Sequence, residues 1–442
     1  MKKSSLKIFS ILISLLFIIH YFDSIQPRSL NTNKKDIIPN LKNQQTLDIT
    51  ILINGTAKGV GAHNWTWASS QEWCTGTGTS SDPFLIENIS ISHYSIIDTV
   101  GIDIINSVNH FIIKNCTFYR FAYGIIISNS TNGKLFNNTI NYCYEGITIT
   151  ESQNFNISLN FFRQTNIHVF YLENNNNITI SKNKVVDIGN YGIYCINNLN
   201  LNLIDNIFDS IFSIYVLYYI LFANVNESSI IRTIGFSPGY DNIVLQFSNN
   251  NSIKNNSILS YQHNSRISLY KSSYNTISNN KLIGDSQGII LAGGSCNNRI
   301  LYNNISHIHD GIKISQESNN NLIILNQIKY NISDEITDGN GITISESNFN
   351  NILNNTLKNN KYGIELIESN YNIIKYNQIT EYSSKCILEI SCQGNIITNN
   401  YCSSSIAPSD NDNGINWYFS IFIFIGLGLL AIFLITKIKT KK

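Results

Sequence analysis

His307 and His309 stand two residues apart with Asp310 directly after them, and Asp285 and His263 precede them at successive intervals of about 22 residues. Residues two apart on a strand share one face. Imidazoles and carboxylates stacked in this way could hold a divalent cation or serve as acid and base. A second stretch brings Asp334, Glu335 and Asp338 together, and hard oxygen donors of that kind suit Ca2+. On a fully outward face, both sets would be ordinary solvated side chains.

Other chemistries find less support. The eight cysteines (Cys74, Cys116, Cys143, Cys195, Cys296, Cys386, Cys392 and Cys402) show neither zinc-finger spacing nor a Cys-x-x-Cys pair. Cys386, Cys392 and Cys402 are close enough in sequence to pair, and the others read as small buried hydrophobes. Met1 is the only methionine and the eight histidines are scattered, which disfavours a soft copper site. A net charge of +1, with 13% charged residues, leaves no basic face for nucleic acid.

The elements that must position these side chains are repeats. Gly341 opens GITISESNFNNILNNTLKNNKY and Gly363 opens GIELIESNYNIIKYNQITEY. The two align without gaps, placing Ile344 on Leu366, Ser347 on Ser369, Asn350 on Asn372, Ile352 on Ile374, Asn355 on Asn377 and Leu357 on Ile379. Apolar residues alternate with period two, the mark of short strands with one buried face. Strands this short must turn often, and Asn and Gly tolerate the left-handed corners better than other residues. The expected fold is all-β, a right-handed parallel β-helix of about 13 coils of about 22 residues, roughly 60 Å long, with asparagine ladders at its corners.

The ends carry addresses. Lys2, Lys3 and Lys7 precede an apolar run from Ile8 to Phe22, so residues 1–22 read as a signal peptide or signal anchor, and 23–45 as a linker. A second linker, 403–416, leads to an apolar segment from Trp417 to Thr436, and 437–442 is a basic tail. Lysines after the span put the tail in the cytoplasm and the body outside, a single-pass anchored cell-surface protein. About 14 Asn-x-Ser/Thr sequons, including Asn54, Asn115, Asn177, Asn304 and Asn354, are compatible with glycosylation there. A chain with about 15% Asn also generates many such triplets by chance.

Residues 46–100 are expected to form the N-terminal cap and first coil, and 101–402 the helix proper. Alternating Leu47, Ile49, Ile51 and Ile53 suggest a first strand or cap; Trp65, Trp67 and Trp73 are read as a plug over the core end rather than a sugar platform. Two places break the rhythm. The run 211–225 is apolar and aromatic, which suggests strands with an exposed aromatic strip or a protruding loop. The other is the insertion carrying Asp334, Glu335 and Asp338, and such insertions often map to a binding face.

The stretch GTGTSSDPFLIENISI, then FIIKNCTF at 111–118, then Gly-Ile units with N-x-I-x-x-N, resembles the NosD-like group of right-handed β-helix proteins over roughly residues 65–402. The resemblance implies the fold; it also implies a role beside an ABC transporter in assembling a copper site, although corner and core residues do not carry those partners. The Asn-Thr-Asp, Asp-Asp, Gly-His-Gly and Arg-Ile-Lys blocks of polygalacturonase-like enzymes are missing, as is the Asp-Pro-His-Asp of mannuronan epimerases. Three readings follow. The first, and favoured, is a surface module binding carbohydrate or a protein partner. The others are a carbohydrate-active enzyme (lyase, hydrolase or epimerase type) and a NosD-like accessory.

Overall fold

The computed structural model describes residues 45–404 apart from 48–49, 94–97, 210–215, 238–240, 261–264, 285, 308 and 331–338. The expected signal segment, nearly all of both linkers, the apolar segment 417–436 and the tail 437–442 lie outside the described residues. Among the described residues, no helix is long and apolar enough to cross a membrane.

The body is a parallel β-helix of about 13 turns. Each turn passes through three sheets, here sheet I with 14 strands and sheets II and III with 15 each. One turn runs Val100–Ile105 in sheet I, Phe111–Lys114 in sheet II and Thr117–Tyr119 in sheet III. The next strand, Tyr123–Ser128, then stacks on the first with Ile102 opposite Ile125. The register reproduces the sequence repeat: Ile344 pairs with Leu366, Ile352 with Ile374 and Leu357 with Ile379. All six are buried, so three apolar columns fill the interior, each side chain contributing about 1.5–3 kcal/mol.

Asparagine supports the corners from inside and from outside. The backbone N–H of Asn138 donates to Oδ1 of Asn160 at 2.9 Å, and Asn160 does the same to Asn183 one coil on. The Asn160 side-chain amide also donates to the Leu135 carbonyl at 3.0 Å. A buried amide with its hydrogen bonds made is tolerated where an orphaned one would be costly. The left-handed corner just before this ladder has φ of 54° at Asn137 and 53° at Asn354. Leu159 and Leu325 adopt the same conformation, at 58° and 57°, so the coil imposes it even where the side chain is unsuited.

The repeat glycines act differently from the expectation that they enter left-handed corners. A Cβ on Gly124 would stand 2.6 Å from the Gly146 carbonyl oxygen and 3.1 Å from Ile140. The small residue is needed because backbone and core side chain crowd the start of the sheet I strand, with no positive φ involved.

At the N-terminal end, Asn64 caps the short helix Trp65–Ala68, and Trp65 stacks on Phe84 with ring centroids 4.6 Å apart. Trp65 and Trp73 are buried there, and Cys74–Thr75 pairs antiparallel with Phe84–Glu87, covering a strand edge. The alternation through 47–53 is not one strand: Gln45–Leu47 belongs to sheet III and Ile51–Asn54 to sheet I.

Candidate functional site

Of the acid–base and cation-site residues singled out above, only His307, His309 and Asp310 fall within the described stretches. His263, Asp285, Asp334, Glu335 and Asp338 lie outside the described residues. The strand Asn304–His307 ends sheet III's contribution to its coil, and His309 stands in the bend beyond it. His309 is exposed and Asp310 is half-buried.

Asp310 does enter a polar cluster, made with later coils. The Thr343 hydroxyl donates to Asp310 Oδ1 at 3.2 Å, and Asn340 Nδ2 donates to Thr343 Oγ1 at 3.1 Å and to Glu365 Oε2 at 2.7 Å. Burial pushes the Asp310 acid up, while Lys313 pulls it back. Burial likewise raises Glu365, and the neighbouring Asp310 charge adds to the effect. Asn340 Oδ1 is buried with no hydrogen-bond partner.

A larger constellation stands on the outward face of sheet I several coils earlier. In His168–Glu173, Tyr191–Ile196 and Tyr218–Ala223, the first residue points outward, and so does the fourth of the first two strands. Register stacks His168 on Tyr191 and Tyr191 on Tyr218, with Tyr171 on Tyr194 alongside. The rings touch: Tyr191 and Tyr194 are stacked at 5.1 Å, Tyr171 meets Tyr194 edge-on at 5.8 Å, and Tyr218 tilts against Tyr191 at 5.7 Å. His168 packs within 5.3 Å of Tyr171, Tyr191 and Tyr194.

Carboxylates edge this aromatic face. His168 Nδ1 lies 3.2 Å from Glu145 Oε1, and the two side chains are only 12% and 16% exposed. Thr148 donates to the other Glu145 oxygen at 2.7 Å. Tyr171 donates to Glu173 at 2.9 Å; its phenol is pushed up to about 12, by burial first and then by that bond. Glu145 pushes the Tyr123 phenol up as well. The arrangement offers half-buried flat apolar faces beside fixed hydrogen-bonding groups, a combination suited to a ring-shaped polar ligand. Sequence reading reached only its edge, in the aromatic run 211–225 that holds Tyr218, although the signal for the rest was present. A Tyr or His just before the glycine-column position, repeated in HVFYLE, YGIYCI and YYILFA, becomes a patch only once the register is known.

Four of the cysteines, Cys74, Cys116, Cys143 and Cys195, are deeply buried; burial pushes the first three thiols up to about 12 and raises Cys195 well above its ordinary value. A soft-metal site needs accessible thiolates or thioethers grouped together. Among the described residues, no three His, Cys, Asp or Glu side chains group to hold a metal ion.

Comparison with known proteins bears on the fold. The family model described as right handed beta helix region matches residues 51–210, and the one described as periplasmic copper-binding protein (NosD) matches 216–337 and 326–421. No curated protein matches the chain. Among solved structures, a periplasmic alginate epimerase is 15% identical, with a TM-score of 0.43 over 73% of this chain and 85% of that one. A DFA-IIIase from Arthrobacter chlorophenolicus A6 is 11% identical, with 0.44 over 73% and 93%. The Dettilon tailspike protein is 13% identical, with 0.42 over 68% and 62%. Likeness at this level carries no argument about substrate.

Proposed function

We propose, for a chain that is a NosD-like right-handed β-helix repeat protein, that it is a surface-displayed carbohydrate-binding module whose glycan lies on the outward face of sheet I. The observation that carries this reading is the packed group of Tyr171, Tyr191, Tyr194, Tyr218 and His168. A pyranose ring presents an apolar C–H face that packs on an aromatic ring, while its hydroxyls need donors and acceptors at the edge. Glu145, Glu173 and Thr148 supply those edges. Because the rings are held by their neighbours and by the coil, little side-chain freedom is lost on binding. The apolar segment 417–436 would tether the module with the helix outside the cell.

The test is calorimetry of the full-length chain in detergent against a panel of oligosaccharides. Tyr171→Ala and Tyr194→Ala are each expected to weaken binding about tenfold. Unchanged affinity in both variants would move the glycan off this face.

A second reading, polysaccharide hydrolysis, is favoured by Asp310 and Glu365. One carboxylic acid would donate a proton to the departing oxygen while the other carboxylate takes one from water. Release of new reducing ends, lost in Glu365→Gln, would support it; no release from any glycan that binds would end it.

A further inference from the structure

The face that carries the tyrosines is also electrostatically one-sided. Across seven successive sheet I strands, from Val100–Ile105 to Asp241–Gln246, there is no lysine or arginine. The same strands hold four carboxylates: Asp103, Glu145, Glu173 and Asp241. The first lysine on this sheet is Lys313, beyond the aromatic group.

These carboxylates are satisfied largely by neutral donors. Thr148 donates to Glu145, Tyr171 to Glu173 and the Ser265 hydroxyl to Asp241 at 2.6 Å. Arg266 reaches Asp241 only through its charge; it is itself buried and donates inward to the Ser260 carbonyl at 2.8 Å. Asp103 has one oxygen buried with no hydrogen-bond partner, beside a hollow of about 410 Å3 lined by Leu52, Ala57 and His63. Aromatic ring faces are themselves electron-rich and attract cations. Half-burial limits solvent screening, so one sign of charge prevails along the track.

Resting on the carbohydrate reading above, we propose that the ligand of this face is an amine-bearing glycan, a chain of unacetylated hexosamine. Its ammonium groups would lie over Tyr191 and Tyr194 and against Glu173 and Glu145. A polyuronate would meet four like charges, with His168 already held by Glu145 and Arg266 buried beside Asp241, which costs affinity.

The experiment compares glucosamine oligomers, their N-acetylated forms and uronate oligomers of equal length, titrated into the full-length chain at low and high salt. The amine form is expected to bind roughly tenfold tighter than the acetylated form, a gap that narrows in high salt. Glu173→Gln should narrow that gap, weakening the amine form several-fold more than the acetylated form; an equal loss for both forms would count against the charge preference. Equal binding of amine and acetylated chains, or tighter binding of uronates, would overturn the charge preference and leave the carbohydrate reading standing. Binding of none of the three would overturn both.

Discussion

Cys386 and Cys402 are disulfide-bonded in the last coil, at the two positions where Gly363 and Ile379 crowd together one coil earlier. Ile379 pairs with Cys402, and a Cβ on Gly363 would stand 2.2 Å from Ile379 and 2.6 Å from the Cys386 carbonyl oxygen. The covalent bond thus replaces a core contact in the coil that has no described neighbour above it. That coil needs it, since Ile387 and Ile397 are only half-buried. Glu389, which pairs with Leu366, carries a charge into a core column and bonds Asn395 at 2.7 Å, an arrangement that discourages another chain from stacking there.

Reduction, or Cys402→Ala, should therefore loosen the last coil and spare the rest. Closing a loop with a sequence separation of 16 is worth about 3 kcal/mol in the chain-entropy account. In a solenoid that loss stays local. Hydrogen exchange should show protection falling across 385–404 with little change around Ile147 or Ile193. A uniform loss of protection along the body would refute the local account.

Breaking the buried asparagine ladder should cost far more than breaking an exposed asparagine pair. Asn160→Ala takes the Asn160 acceptor from the Asn138 backbone N–H and the Asn160 donor from the Leu135 carbonyl, and leaves the Asn138 amide only its bond to the Ile113 carbonyl, all in buried surroundings. The expected destabilisation is about 3 kcal/mol, near the upper range for orphaned groups. Asn176→Ala removes only the acceptor that Asn200 uses at 3.1 Å on the exposed side, and should cost less than about 0.5 kcal/mol. Chemical denaturation of both variants, restricted to the cooperative transition, checks the ratio.

Much of this fold could be read from the chain because each structural role recurs at the same place in every coil. Gly341 over Gly363 and Asn355 over Asn377 announce both the period and the corner ladder. What could not be read is the identity of neighbours on the outward faces. His309 and Asp310 sit together in sequence, yet the partners of Asp310 are Thr343 and, through it, Asn340, reached across an insertion that shifts the interval. Tyr171 and Tyr194 are far apart in sequence and side by side in space. The glycine role was misjudged for a related reason: crowding by Ile140 against Gly124 is a contact between sheets that no local conformational preference reveals.

The Asp310–Glu365 cluster should make stability fall as pH rises. Burial raises both acids above their ordinary values of 3.8 and 4.5. A carboxyl with a raised pKa in the folded state holds its proton more tightly there than in the unfolded chain. Its contribution is fully present below the ordinary value and is lost as pH climbs through the raised one. Asp310→Asn removes the buried charge and keeps an oxygen for the Thr343 hydroxyl, so the variant should melt higher than the parent near neutral pH. The difference should shrink on acidification below about 4, where the parent's carboxyl is protonated in both states. Melting curves at matched ionic strength across that interval decide it. If the variant is less stable at neutral pH, the charged Asp310 is being held by Lys313 strongly enough to outweigh its burial.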